Sequence, residues 1–202
     1  FMKDTKVGGN FDASSETGYI HLEGGSVGGD ATLAGNTRGD GNMGHIIIGY
    51  KGNDKEVILS DKTAAQHSTS IGGVIKATAK RGHRSDRPEL AKGDILAYSD
   101  GNLVFKGGSD EDNLIADSGK NILINRTSSG YTNTNTTVGK DLILNAKGSN
   151  AIIDVQVGNN SVINSAEGYN SIDKLTTKEL DTSAGYFTNL TNSTITGDAK
   201  AR

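Results

Sequence analysis

Cysteine is absent from the 202 residues, so no disulfide framework staples the chain and no thiolate is available as nucleophile or metal ligand. Tryptophan is missing as well, and proline occurs once, at Pro88. Hydrophobic residues reach only 33% and aromatics 5%, whereas an ordinary domain carries about 45–50% apolar residues by a count that includes glycine. A single chain so poor in large side chains builds a thin core. Nothing approaches the roughly 18 consecutive apolar residues of a membrane span, and the opening Phe1-Met2-Lys3-Asp4 lacks the apolar stretch of a signal peptide. A start on Phe rather than Met is expected of a fragment. Excess charge of one sign is also lacking: 21 Lys+Arg stand against 24 Asp+Glu, with no basic block, so the electrostatic footprint of a nucleic-acid partner is missing. The net charge of -3 also argues against disorder, which tends to combine low hydrophobicity with high charge. Helical periodicity is scarce, and its best candidate, Asp173 to Leu180, is short.

Glycine is what the chain has in quantity. Its 28 copies are roughly twice the ~7% of an average protein. Short apolar runs bounded by Gly, Asn, Asp and Ser recur throughout: Tyr19 to Leu22, His45 to Ile48, Glu56 to Leu59, Gly73 to Ala77, Ile95 to Tyr98, Leu103 to Phe105, Ile122 to Ile124, Leu142 to Leu144, Ala151 to Val155 and Ser161 to Ile163. They predict an all-β chain. Triplets such as Ile46-Ile47-Ile48 and Leu142-Ile143-Leu144 suit strands buried on both faces, and burial on both faces calls for partners.

A loose repeat is visible in Gly101-Asn102-Leu103-Val104-Phe105, Gly119-Lys120-Asn121-Ile122-Leu123-Ile124-Asn125, Gly139-Lys140-Asp141-Leu142-Ile143-Leu144-Asn145 and Gly158-Asn159-Asn160-Ser161-Val162-Ile163-Asn164. The glycines lie 18, 20 and 19 residues apart. A Gly-polar turn, a short strand and a closing Asn form a unit that buries itself only when stacked on copies. The drift in spacing favours an elongated, intertwined homotrimeric fibre shaft built of short β modules over a strict solenoid. Four regions follow: residues 1–75, a Gly-rich β module; 76–107, a β module with a basic loop; 108–170, the repeat region; and 171–202, a Ser/Thr-rich shaft segment.

Local motifs carry little chemistry. Gly39-Asp40-Gly41-Asn42-Met43-Gly44 fits the dinucleotide pattern, but a strand-like run, His45 to Ile48, follows where the phosphate-binding helix belongs. Arg38-Gly39-Asp40 reads as turn chemistry. His21, His45, His67 and His83 are too far apart for one chain to assemble a metal cluster. In a trimer, His21 or His45 on a three-fold axis would supply three nitrogens, against the blander reading of a strand histidine bonded to a neighbour. Asp110-Glu111-Asp112 lacks the ligand alternation of a calcium loop. Without tryptophan platforms, a glycan-cleaving groove with its paired carboxylates is not expected. No cofactor and no enzymatic activity are expected. The basic stretch Lys80 to Lys92 reads as an exposed excursion, and Arg81, His83, Arg84 and Arg87 are its candidate receptor-binding residues.

Ala79-Lys80-Arg81-Gly82, followed by Gly93-Asp94-Ile95-Leu96, resembles the Arg-Gly, polar loop, Gly-Asp, aliphatic-pair module of bacteriophage tail fibres and tailspikes. Ile195-Thr196-Gly197-Asp198-Ala199-Lys200-Ala201-Arg202 is similar to the segment that closes many phage fibre shafts, and Gly185-Tyr186-Phe187-Thr188-Asn189-Leu190 resembles phrases of the same shafts. The aromatic-rich loop that often follows the Gly-Asp module is reduced here to Tyr98 and Asp100-Gly101. Resemblance to the long tail fibres of T-even-like phages implies a homotrimer in the virion that supports host attachment. Its partners would be identical chains, other tail fibre subunits, and a bacterial surface glycan or outer-membrane protein, with no nucleic acid. A trimeric bacterial adhesin stalk and a glycan-degrading tailspike fragment stand as the alternatives.

Overall fold

The structure, a computed structural model, describes residues 2–15, 20–35, 45–48, 70–71, 73–79, 82–86, 95–99, 102–106, 108–110, 112–127, 130–131 and 135–202. Every regular element among them is a strand. Strand alternates with sharp corner because Gly, Asn and Asp punctuate each apolar run at a spacing too short for a helix. The strands stack in parallel on their counterparts, 18 to 20 residues away in the C-terminal coils, as in Asn170 on Thr188, Leu142 on Ser161 and Asn150 on Asn170, and further apart elsewhere, as in Ile20 on Ile46 and Ala31 on Ile75. The result is a β-solenoid.

One coil defines the rest. Asn150–Val157 runs along a first face as far as Ile153, bends at Asp154, continues along a second face to Val157, turns at Gly158-Asn159, and crosses a third face as Asn160–Ser165. The third-face strands form one nine-stranded sheet, from Phe11–Ser15 to Ala199–Ala201, so the described chain makes nine coils. The bend between first and second faces is made the same way in the six coils where that corner is described. Asp4, Asn125, Asp154, Lys174 and Asn192 stand there with φ of 49 to 55°, and Gly24 with φ of 67°. Left-handed backbone turns the chain without a loop, and Asn and Asp tolerate it because their short side chains bond locally.

Inward positions alternate along each strand and stack in columns. Leu114, Ala116 and Ser118 lie under Leu142, Leu144 and Ala146, which lie under Ser161, Ile163 and Ser165, and all nine are buried. Each buried Leu or Ile contributes about 1.5–3 kcal/mol. These columns, with Leu103, Phe105, Ile122, Ile124, Val138, Ile152, Val155 and Leu175, form one continuous core along the axis. Small residues at the corners let coils approach: a Cβ on Gly148 would lie 2.7 Å from the Lys120 carbonyl oxygen of the preceding coil.

Asp173 to Leu180, the best of the scarce helical candidates, spans two strands, Asn170–Thr177 and Glu179–Ala184, in keeping with the all-β reading. Two expectations are revised. The repeat pairs Leu103 with Ile122 and Leu142 with Ser161 as its spacing suggests, yet Ile122 stacks on Asn150, not on Leu142, because the first two copies lie on the first face and the last two on the third. The longer step of 28 residues between Leu114 and Leu142 holds an antiparallel hairpin, Arg126–Thr127 with Gly130–Tyr131, set at the left-handed corner of Asn125. Drift in spacing is therefore compatible with a solenoid. Glu56 to Leu59 lies outside the described residues.

Candidate interaction face

Hydrogen-bond ladders replace large side chains in holding the coils in register. At the corner before the third face, Asx side chains accept from the backbone of the next coil: Asn10 Oδ1 from Asp30 N at 3.0 Å, Asp30 Oδ1 from Val74 N at 2.9 Å, Asn113 Oδ1 from Asp141 N at 3.0 Å and Asp141 Oδ1 from Asn160 N at 3.0 Å. At the corner after it, the buried Asn170 Nδ2 donates to Ile163 O at 3.0 Å, Thr182 Oγ1 at 2.7 Å and Ser183 O at 2.8 Å. Asn150 Nδ2 donates in turn to Asn170 Oδ1 at 2.9 Å and to Asn164 O at 2.8 Å. This ladder stops there, because the preceding coil carries Ile122 in the same register, and the buried Asn150 Oδ1 has no partner.

The outer surface of the third face carries two parallel columns. The first is apolar: Leu96 pairs in register with Ile115, Ile115 with Ile143, and Ile143 with Val162. All four are half-buried rather than buried, so the middle residue of the Leu142-Ile143-Leu144 triplet is not enclosed within its own chain. Beyond Val162 the column turns polar with Asp181 and Lys200. Two residues along the strand runs a polar column in which Ser183 Oγ donates to Asn164 Oδ1 at 2.8 Å, Asn164 Nδ2 to Asn145 Oδ1 at 2.9 Å, and Asn145 Nδ2 to Asp117 Oδ1 at 2.7 Å. A shallow cleft of ≈ 430 Å³ lies there, lined by Asp117, Asn145, Lys147, Asn164, Ser165 and Ser183 among others. Near the C-terminal end Arg202 Nη2 holds both Asp181 carboxylate oxygens at 2.7 Å. An apolar stripe flanked by polar groups that bond to one another suits a packing surface, because covering it strands few unsatisfied donors.

The residues singled out from the sequence lie elsewhere. His83 and Arg84 sit within the strand Gly82–Asp86, which pairs on both sides with His45–Ile48 and Asn102–Lys106, so this part of the basic stretch is sheet rather than excursion. His83 aligns with Ile46 and Leu103, and Arg84 with Ile47 and Val104. Arg81, Arg87 and His67 lie outside the described residues. His21 aligns with Ile47, in the same register column as Arg84, while His45 begins the neighbouring strand two positions earlier. Among the described residues no three His, Asp or Glu side chains gather as a cation site. Of the acidic run, Asp112 is held by Lys140 Nζ at 2.6 Å and Asp110 ends the short strand Gly108–Asp110. Arg38-Gly39-Asp40 and the glycine pattern to Gly44 fall outside the described residues.

The apolar column was overlooked in the sequence, although its signal was present: Leu96, Ile115, Ile143 and Val162 each flank a buried position in an apolar run, and only strand parity distinguishes outward from inward. No protein-family model, no curated protein and no solved structure matches this chain.

Proposed function

We propose that this chain is a structural segment of a phage tail fibre, a homotrimer of parallel chains that supports and positions host-receptor attachment. The observation that carries it is the half-buried column Leu96, Ile115, Ile143 and Val162, aligned along the axis of a thin solenoid. Interior strands of the third face find both sheet neighbours within their own chain, as Ile95–Ser99 does with Ile75–Ala79 and Leu114–Ser118. Association is therefore lateral, with three apolar columns meeting near a three-fold axis and closing the assembly. The resemblance of Arg81-Gly82, Gly93-Asp94 and the stretch Ile195 to Arg202 to phage fibre segments supplies the virion context. Its role is mechanical: a slip of one residue would expose the buried set of every strand.

Sedimentation of the purified chain with Ile143→Lys as its comparison tests the assembly. A trimeric mass is expected for the parent. The variant should be a folded monomer, since burying three lysines near one axis replaces about 1.5–3 kcal/mol of apolar burial per chain with charge repulsion. A parent that sediments as a monomer at tens of micromolar would remove the proposal. Antibodies raised to the chain should label fibres on virions that carry it and slow adsorption to host cells.

A further inference from the structure

Among the described residues one strand pairing is antiparallel, the hairpin of Arg126–Thr127 with Gly130–Tyr131, and the coil it interrupts closes without it. Thr136 resumes the second face in register with Val155, and in the later coils Val155 follows Asp154 and Leu175 follows Lys174 with nothing between. The stack therefore does not require the hairpin. Two-stranded hairpins are marginal by themselves, but this one is held in place. Its first strand packs beside Asn102–Lys106 and Asn150–Val157, and on the latter Ala151 and Ile153 are buried although they lie outside the main core.

The order of the faces fixes where it stands. The hairpin leaves the corner between first and second faces, which lies opposite the third face with its packing column of Leu96, Ile115, Ile143 and Val162. In a trimer closed through third faces, three hairpins stand at one height on the outside, away from the axis. Binding elements carried by a rigid scaffold are placed in this way.

Composition indicates what they would meet. From Ser118 to Lys140 the sequence holds no Asp or Glu. Residues 126–135 contain Arg126 and Tyr131, which are direct cross-strand partners, and otherwise only Ser, Thr, Asn and Gly. Hydroxyls and amides match a hydroxyl-rich ligand, a guanidinium binds carboxylate or phosphate oxygens through charge-assisted hydrogen bonds, and a phenol ring offers an apolar body with a polar tip. One ring and no aliphatic side chain leave little to build the apolar core of a protein interface.

Building on the trimeric fibre reading above, we propose that the Arg126–Tyr131 hairpin is a lateral binding site for an anionic bacterial surface polysaccharide, displayed three times around the shaft. Receptor contact then belongs to this corner rather than to the stretch holding His83 and Arg84, which lie in a strand paired on both sides.

The test is binding of the whole chain to an immobilised array of purified bacterial capsular and O-antigen polysaccharides, acidic and neutral, beside outer-membrane vesicles from strains lacking surface polysaccharide. The parent should bind one or more acidic members. Arg126→Ala and Tyr131→Ala should each weaken that binding about tenfold. Deletion of residues 126–135 should abolish it, with the sedimenting mass and far-ultraviolet dichroism retained. Ile143→Lys keeps the hairpin while removing lateral assembly, so it should bind about a hundredfold more weakly through lost avidity and still respond to Arg126→Ala. A parent that sediments as a monomer yet binds through Arg126 and Tyr131 would sink the trimer and support the hairpin. A trimer that binds equally well with all three hairpin changes, or that binds only neutral members, only the vesicles or nothing at all, would overturn the site and leave the fibre.

Discussion

Replacing Asn170 by alanine should cost the fold about 3 kcal/mol, whereas the same change at Asn150, one coil earlier and equally buried, should cost under about 1 kcal/mol. Asn170 Nδ2 divides its two N–H groups among Ile163 O, Thr182 Oγ1 and Ser183 O, and its Oδ1 accepts from Asn150 Nδ2, so its loss removes two donors and one acceptor from a closed corner. A net loss of about 1 kcal/mol for each gives the total. Asn150 makes two bonds, to Asn170 Oδ1 and Asn164 O, but it also carries an oxygen with no partner. Removing Asn150 relieves that orphan but leaves Asn170 Oδ1 without its donor, so the two desolvation costs cancel and the net loss is the bond to Asn164 O, no more than about 1 kcal/mol. Urea unfolding supplies both differences. Hydrogen exchange adds their location, because in a solenoid each coil contacts chiefly its neighbours. Protection should fall over residues 160–202 in the Asn170 variant and stay unchanged over 114–124. Equal costs at the two positions, or a uniform loss of protection, would refute the ladder as the source of corner stability.

Lys174 holds φ of 54° at a corner where Asn or Asp stands in four of the five other coils whose corner is described, so Lys174→Asn should raise stability by about 0.5–1 kcal/mol in thermal or urea melts, as Asn tolerates left-handed backbone at lower cost. Deleting residues 126–135 joins Asn125 directly to Thr136, as Asp154 joins Val155, and should leave the far-ultraviolet dichroism of a β-solenoid intact. A cost of about 1–2 kcal/mol is expected from uncovering Ala151 and Ile153, which are buried outside the main core cluster on the strand beside which the hairpin packs.

Strand existence was legible because apolar runs bounded by glycine leave few other folds open, and nine of the ten runs read from the sequence overlap described strands. Coil closure was less legible, for a geometric reason. A left-handed residue at the corner shifts strand parity by one, so Ile172 and Leu175 face the same core while lying three apart, which imitates helical spacing. The second face was hidden because its strands are two or three residues long and include Thr136-Thr137-Val138, where threonine supplies inward positions. For the site, inward and outward apolar residues are chemically alike, so the Leu142-Ile143-Leu144 triplet reads as a strand buried on both faces and needing partners, without telling which of its residues faces the chain's own core. The histidines and arginines attracted attention by residue type, whereas the face singled out by the structure is built of Leu, Ile, Val, Asn and Ser.

The single-residue bend at Asn125, Asp154 and Lys174 has a consequence for how the molecule scales. Chain added at that corner, as the hairpin is after Asn125, leaves the stacking distance between coils untouched, because that distance is set by parallel strand pairing at roughly 4.8 Å. Contour length is thus counted in coils and is decoupled from residue number. Two chains of equal mass could build rods of different reach, and a rod of fixed reach could carry loops of widely different bulk along one edge.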